Sequence, residues 1–171
     1  MLESKTINMR LIDESDAEFV LKLRSDERYN KFLSSVNSDI NSQRDWIRKY
    51  KEDEISNKQF YFIIERKDGV PCGTVRVYDI KENSFCWGSW ILNEDKTHYA
   101  AIESALMVYD FGFNRLGFNK SHFEVIRGNL KVVSFHKKFG AVMIGEDDDH
   151  YYFEITKASV MKCREKFKSL I

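Results

Sequence analysis

The chain has 171 residues, 43% apolar and 14% aromatic, enough to bury one substantial core without staples and far from the composition of a disordered polypeptide. Lys plus Arg is 27 and Asp plus Glu is 27; the zero balance gives no footprint for nucleic acid or an anionic membrane and favours a small neutral or amphoteric partner. Cys72, Cys86 and Cys163 are widely spaced, with no Cys-x-x-Cys or Cys/His cluster, so no metal site or disulfide framework is expected, and reduced, buried thiols in a cytoplasmic protein are. Met1, Leu2, Glu3, Ser4 and Lys5 lack a signal pattern. No apolar run reaches the roughly 20 residues of a membrane span. With one proline, Pro71, and no Gly/Ser-rich linker, residues 1–171 read as a single domain.

Residues 6–12 predict a first strand with Ile7, Met9 and Leu11 on one side. Ser15, Asp16, Ala17 and Glu18 predict a capping box, opening a helix with Phe19, Val20 and Leu23 as its apolar stripe. Ser42, Gln43, Arg44 and Asp45 resemble a second helix start, with Trp46, Ile47 and Tyr50 at helical spacing. The period then changes. Residues 60–65 are strongly β-forming, Asp68-Gly69 signals a hairpin, and 74–80 alternate, with Val75 and Val77 opposite Thr74, Arg76 and Tyr78. Residues 81–84 turn into a third strand, 85–92. Helical spacing returns at Ile102, Ala105, Leu106, Tyr109 and Phe113, with Gly117 placed to cap that end. A strand over 121–126, a helix over 131–139 ending at Gly140, and strands over 141–144 and 151–155 around an acidic turn follow. Thr156 caps a last helix with Val160, Cys163, Phe167 and Leu170 inward. A meander followed by an αβα unit predicts an α/β fold, a mixed sheet covered by helices, with the helix near Ile102 supplying a parallel crossover.

Two stretches carry chemistry. Gly88, Ser89, Trp90, Ile91, Leu92, Asn93 and Glu94 lead through a polar loop into a helix, a junction that offers free backbone donors to an anion such as a diphosphate. Further on, Glu124-Val125-Ile126-Arg127-Gly128-Asn129 precedes Phe135-His136-Lys137-Lys138-Phe139-Gly140-Ala141. In this layout the chain resembles the GNAT superfamily of acetyltransferases, in its ribosomal-protein and small-amine branch. There a Glu-Val-Arg-x-x-Asn segment is followed seven residues later by a tyrosine; here Asn129 is followed seven residues on by His136. The family's phosphate loop is glycine-rich. Counting on from Gly88, Lys96 holds its Gln place, Thr97 and Tyr99 hold its two glycine places, and Ala101 holds its alanine. Glycine permits close approach to phosphate and positive φ, and Thr97 and Tyr99 are expected to compromise both.

The resemblance implies a mostly antiparallel GNAT sheet, splayed between the strand ending at Leu92 and the strand beginning at Ser121. It implies acetyl-CoA as cosubstrate, no metal, and a primary amine as acceptor. The backbone of Ile91 and Leu92 would take the pantetheine, with Lys96, Thr97, His98, Tyr99, Ala100 and Ala101 at the diphosphate and Asn129 on the coenzyme arm. His136 would act as acid or base and Glu124 as base toward the ammonium. By residue type alone, His136 is a structural histidine on a face with Val132 and Phe139, Glu124 an exposed strand carboxylate, Asn129 a helix N-cap, and Trp87 and Trp90 core. Glu146, Asp147, Asp148 and Asp149 read as a solvated turn or as a lure for a cationic acceptor, and Tyr151 and Tyr152 as strand packing. His136 and the Trp-Gly-x-Trp strand resemble acetyltransferases of bacterial nucleotide-linked amino sugars. A protein N-terminus or another small amine stays open as acceptor, and so does a catalytically inactive GNAT-fold binding or scaffolding module. A homodimer through the terminal helix is a further expectation.

Overall fold

The computed structural model describes residues 1–33, 35–36 and 38–171. One eight-stranded sheet in the order β1-β2-β3-β4-β5-β6-β8-β7 forms the centre. Its strands are β1 (Leu2–Glu3), β2 (Ile7–Leu11), β3 (Phe60–Arg66), β4 (Pro71–Tyr78), β5 (Ser84–Leu92), β6 (Lys120–Ile126), β7 (Val142–Glu146) and β8 (His150–Thr156). Every neighbouring pair is antiparallel except β5 and β6. The helices α1 (Ala17–Ser25) and α2 (Ile40–Ile55) cover one face, and α3 (Ala100–Asp110), α4 (Leu130–Phe139) and α5 (Lys157–Lys166) the other.

β3 shows why an unbroken apolar run forms a strand here: it is central, and both of its faces are buried. Phe60, Phe62 and Ile64 join the larger core with Val75, Val77, Phe85, Tyr109 and Phe153. Tyr61 and Ile63 point the other way, into a smaller core with Ile12, Val20, Ile47 and Tyr50. Of the predicted inward set on β2, Ile7 and Met9 are fully buried, whereas Leu11 is 39% exposed; Ile12, past the strand's end, enters the smaller core instead. All three cysteines are buried thiols.

Two helix starts differ from the expected ones. The capping box is Asp13 with Asp16, three residues apart, around a single 3₁₀ turn at Glu14–Asp16. Asp13 outcompetes Ser15 because its carboxylate accepts from the Glu14 N–H at 2.7 Å while the Asp16 carboxylate accepts from the Asp13 N–H at 2.8 Å. α2 begins at Asp39 rather than Ser42, the Asp39 side chain accepting from the N–H groups of Asn41 and Ser42. The other predicted caps are present: Thr156 accepts from the Ser159 N–H at 3.2 Å, and Gly140 ends α4 at φ +99°, a left-handed conformation that favours glycine.

α3 does not close simply. It passes into a π-helical turn at Phe111–Arg115 before Gly117 reverses the chain at φ +85°. A Cβ on Gly112 would fall 2.1 Å from the Phe85 ring, so only glycine lets this turn lie against β5. Among the described residues no helix is long and apolar enough to cross a membrane, and no group of His, Cys, Asp and Glu is placed to hold a metal.

Candidate active site

The parallel pairing of β5 and β6 lasts three residues, from Ser84 opposite Lys120 to Cys86 opposite His122. Beyond Cys86 the strands part. The cause lies on the opposite edge of β5, where its register with β4 shifts between Thr74 and Arg76. Ser89 sits in this bulge at φ +48°, an uncommon conformation for a residue with a side chain. Thr74 Oγ1 donates to the Ser89 carbonyl at 3.1 Å and holds the bulge. A bulge twists its strand, and the outcome is a cleft of about 400 Å³ between the two strands. The β5 edge facing the cleft, from Trp87 to Leu92, has no strand partner, so its peptide groups are available to a ligand.

This cleft gathers Ile91, Leu92, Glu124, Asn129 and His136, five of the residues expected at the site. Asn129 occupies the N-cap position of α4, but its side chain makes no capping bond. The bland reading of Asn129 therefore lacks its hydrogen bond, and the amide borders the cleft instead. Trp87 and Trp90, expected as core, are both core and wall. Trp87 is 4% exposed, Trp90 Nε1 donates to Ser104 Oγ at 3.1 Å, and both rings line the cleft. Glu124 projects from β6 opposite Phe123 and Val125 toward the α1–α2 face and is exposed, as its alternation predicts.

The segment 96–101 does not line the cleft; it follows Leu92 around a turn to the start of α3. There Tyr99 holds the N-cap position without a side-chain cap bond; the Ala100 N–H donates to the Thr97 carbonyl at 3.2 Å, and the next N–H groups of the first turn, at Ala101 and Ile102, are left for an anion. None of residues 93–99 takes a positive φ. Thr97 and Tyr99 thus carry no backbone strain in the glycine places, which corrects half of the expectation drawn from the missing glycines. The Thr97 hydroxyl is 2.7 Å from that of Thr6. Glu103, buried in the first turn of α3, accepts from Ser4 Oγ, from the Thr6 N–H at 2.7 Å and from Thr6 Oγ1. These contacts tie the loop and the helix start to the first strands.

His136 is 5% exposed and shares the buried face of α4 with Val133 and Phe139, while Val132, expected beside it, is half-buried at the cleft. Aromatic rings enclose the imidazole: Phe123 at 4.1 Å between centroids, Trp87 at 5.4 Å, Phe135 at 5.9 Å. Burial without an acidic partner pushes its pKa down to about 3, so the ring is neutral at pH 7. Its Nδ1 is buried with no hydrogen-bond partner among the described residues.

The acidic turn is built rather than loose. Asp147 accepts from the Asp149 and His150 N–H groups at 2.8 and 2.6 Å and from the Tyr152 hydroxyl, which, led by the tyrosine, lower its carboxyl to about 2. Glu146 pairs with Arg127 at 3.0 Å. Tyr152 also reaches a second cavity of about 570 Å³ on the α1–α2 face, where Glu124 forms a shared border with the cleft. Sequence reasoning missed one wall of the cleft: Arg28, Tyr29, Phe32 and Leu33, in the segment after α1, line it. That segment has no periodicity to read. The Gly88-Ser89 pair between two tryptophans was the one available signal of the bulge.

A sheet opened by a bulge beside a short parallel pair, followed by a helix start with no side-chain cap, is the layout of an acyltransferase fold. A model of the acetyltransferase (GNAT) domain matches residues 6–142, and the chain belongs to that family. It is an acetyl-CoA-dependent acetyltransferase. It is 50% identical to FdhC, a nucleotide-linked sugar GNAT solved in its apo form, over 98% of this chain and 96% of that one, with a TM-score of 0.90. The ribosomal-protein-S5-alanine acetyltransferase of Vibrio fischeri is 18% identical, covering 91% of this chain and 95% of its own, with a TM-score of 0.78. The spermidine N-acetyltransferase of Vibrio cholerae, solved with CoA and spermine, is 16% identical over 91% and 98%, with a TM-score of 0.77; at such identities these two share the fold. No curated protein matches the chain.

Proposed function

We propose that the chain transfers an acetyl group from acetyl-CoA to the amino group of a nucleotide-linked amino sugar. The observation that carries the acceptor is the 50% identity, across nearly the whole of both chains, to a nucleotide-linked sugar GNAT. The opened β5 edge and the uncapped start of α3 fit the donor: Ile91 and Leu92 offer backbone groups to the pantetheine, the segment 96–101 lies at the diphosphate with the N–H groups not already bonded within its turn, and Asn129 contacts the coenzyme arm. Acetyl-CoA supplies an activated acetyl thioester. The protein positions it and handles the protons.

The acceptor amine has a pKa near 10 by the lysine reference and must lose a proton to attack. Glu124, exposed on the acceptor face at the rim of the cleft, accepts that proton directly or through water. His136 is unsuited to this, because an imidazole whose conjugate acid has a pKa of about 3 is a very weak base. Its role is that of a neutral N–H hydrogen-bond donor to the departing sulfur, and the thiolate takes back from Glu124, directly or through water, the proton that the amine gave up. The test is the product: with acetyl-CoA and a panel of nucleotide-linked amino sugars, mass spectrometry and NMR should find an N-acetylated nucleotide sugar. Failure of every member, with a peptide N-terminus or a polyamine acetylated instead, would reject the acceptor and keep the transferase.

The expected homodimer sits better on β7 than on α5. β7 is an edge strand, and Val142, Met143 and Ile144 on it are exposed by 64%, 38% and 57%. An unpaired apolar edge favours pairing with a second copy of the chain.

A further inference from the structure

A nucleotide-linked acceptor must place two phosphate charges somewhere, and the acceptor face has two cavities to offer. The larger, of about 570 Å³, is lined by Asp79, Glu124 and Glu154 together with Lys81, Lys120 and His122. Its charges balance one another: Lys120 pairs with Glu154 at 3.2 Å, His122 with Asp79 at 2.9 Å, and Lys81 with Asp79 at 3.7 Å. Such a lining does not attract a diphosphate. The other cavity, of about 280 Å³, lies between α1, α2 and the sheet, and among the described residues its lining contains Arg24 and Arg76 and no carboxylate.

Two polar atoms of this smaller cavity's walls are buried without a hydrogen-bond partner among the described residues, Arg76 Nε and Tyr61 Oη. Buried donors are rarely left so, and these two mark the wall as polar. The Arg76 guanidinium lies over the Tyr78 ring at 4.2 Å, which holds its plane while leaving its donors for an anion. At the same wall Trp46 is 39% exposed, stacked on Tyr50 at 5.7 Å and 4°, with Tyr61 edge-on at 5.6 Å. A pre-positioned, half-exposed indole suits a planar base. The cavity also meets the reaction cleft at one residue: Ser89, in the bulge of β5, borders both. Arg76 stands directly across the ladder from Gly88. A sugar held by its diphosphate at Arg76 therefore extends past Ser89 toward Glu124.

Building on the acceptor proposed above, we infer that this cavity is the nucleoside-diphosphate subsite, with Arg76 and Arg24 on the phosphates and Trp46 against the base. Bidentate guanidinium contacts suit phosphate oxygens better than a lysine would.

The test separates this placement from the acceptor reading itself. UDP and dTDP are titrated calorimetrically into the wild-type chain and into Arg76→Gln, Arg24→Gln and Trp46→Leu, with Lys120→Gln in the larger cavity as control and thermal melting as the fold check. Arg24 lies on a surface helix, so its variant stays informative even if Arg76→Gln melts early. The wild type should bind both nucleotides, each arginine variant should bind at least about tenfold more weakly, the loss of one phosphate contact of roughly 1.4 kcal/mol, and Lys120→Gln should bind as wild type. Coenzyme A affinity should be unchanged in all four. With a nucleotide-linked amino sugar, Arg76→Gln should raise KM and keep kcat. If Lys120→Gln loses nucleotide binding while the arginine variants keep it, the placement is overturned and the acceptor class stands. If neither nucleotide binds at millimolar concentration, the subsite is overturned; if nucleotide-linked amino sugars are also inert, the acceptor class falls with it.

Discussion

His136 is where the single residue matters most. Seven residues after Asn129 along α4, it borders the cleft with Asn129, as two turns of helix require. Its surroundings are apolar and aromatic, and the physical consequence is neutrality at any working pH. As a neutral donor to the leaving sulfur, its loss in His136→Ala should lower kcat by roughly 10²–10⁴-fold with coenzyme A affinity kept. His136→Tyr should restore part of that, and a steady-state series on the three proteins checks it. The wild-type kcat should show no inflection from this residue between pH 5 and 8. A linked prediction concerns stability. The unfolded chain's histidine takes up a proton below its ordinary pKa of 6.5, whereas the folded one does so only near 3. Stability from this residue is therefore present above pH 6.5 and lost as pH falls toward 3, by up to about 1.4 kcal/mol per pH unit. Urea titrations across that range should show the slope in wild type and its loss in His136→Gln. At the phosphate loop, Thr97 and Tyr99 adopt ordinary backbone angles, so Tyr99→Gly should leave acetyl-CoA affinity unchanged in calorimetry. A large gain would mean that the side chain, not the backbone, obstructs the ligand.

At the scale of elements, most of the architecture was legible because burial follows period. The strands β3 to β5 and the caps at Thr156 and Gly140 needed only local information. The helix starts were harder: Ser15 and Ser42 looked like caps, but Asp13 and Asp39, each a few residues earlier, offer a carboxylate to the same orphan N–H groups. The bulge at Ser89 is signalled in the sequence only by the Gly88-Ser89 pair between two tryptophans, because its formation depends on where β4 meets β5 and on Thr74 reaching across to the Ser89 carbonyl. The site followed the same division. The family resemblance pointed to Asn129, His136 and Glu124, which the cleft gathers, while the wall at Arg28, Tyr29, Phe32 and Leu33 is a product of the fold. The π-helical turn after α3 is another tertiary feature. Gly112→Ala would drive a methyl into the Phe85 ring, 2.1 Å from its nearest atoms. Overpacking of this kind destabilises by about 1–3 kcal/mol, which thermal and chemical denaturation should register.

In the proposed function, the molecule divides its two faces between the two substrates, with α3 and α4 on the donor side and α1, α2 and the outward residues of β4, β6 and β8, which line the two cavities, on the acceptor side. The zero net charge conceals an uneven distribution, with arginines in the smaller cavity and carboxylates paired with cations in the larger. The apolar β7 edge makes a separate prediction: Val142→Lys with Ile144→Lys should shift the chain to monomer in sedimentation, and an unchanged dimer would move the contact elsewhere. The central claim is acetyl transfer to a nucleotide-linked amino sugar, and the ratio of kcat/KM values for coenzyme A release measures it most directly. Compared under one set of conditions, a nucleotide-linked amino sugar should exceed spermidine and an alanine-terminal peptide by at least about 10²-fold, the discrimination that binding the nucleotide supplies. Equal values, or a preference for the peptide or the polyamine, would contradict the account.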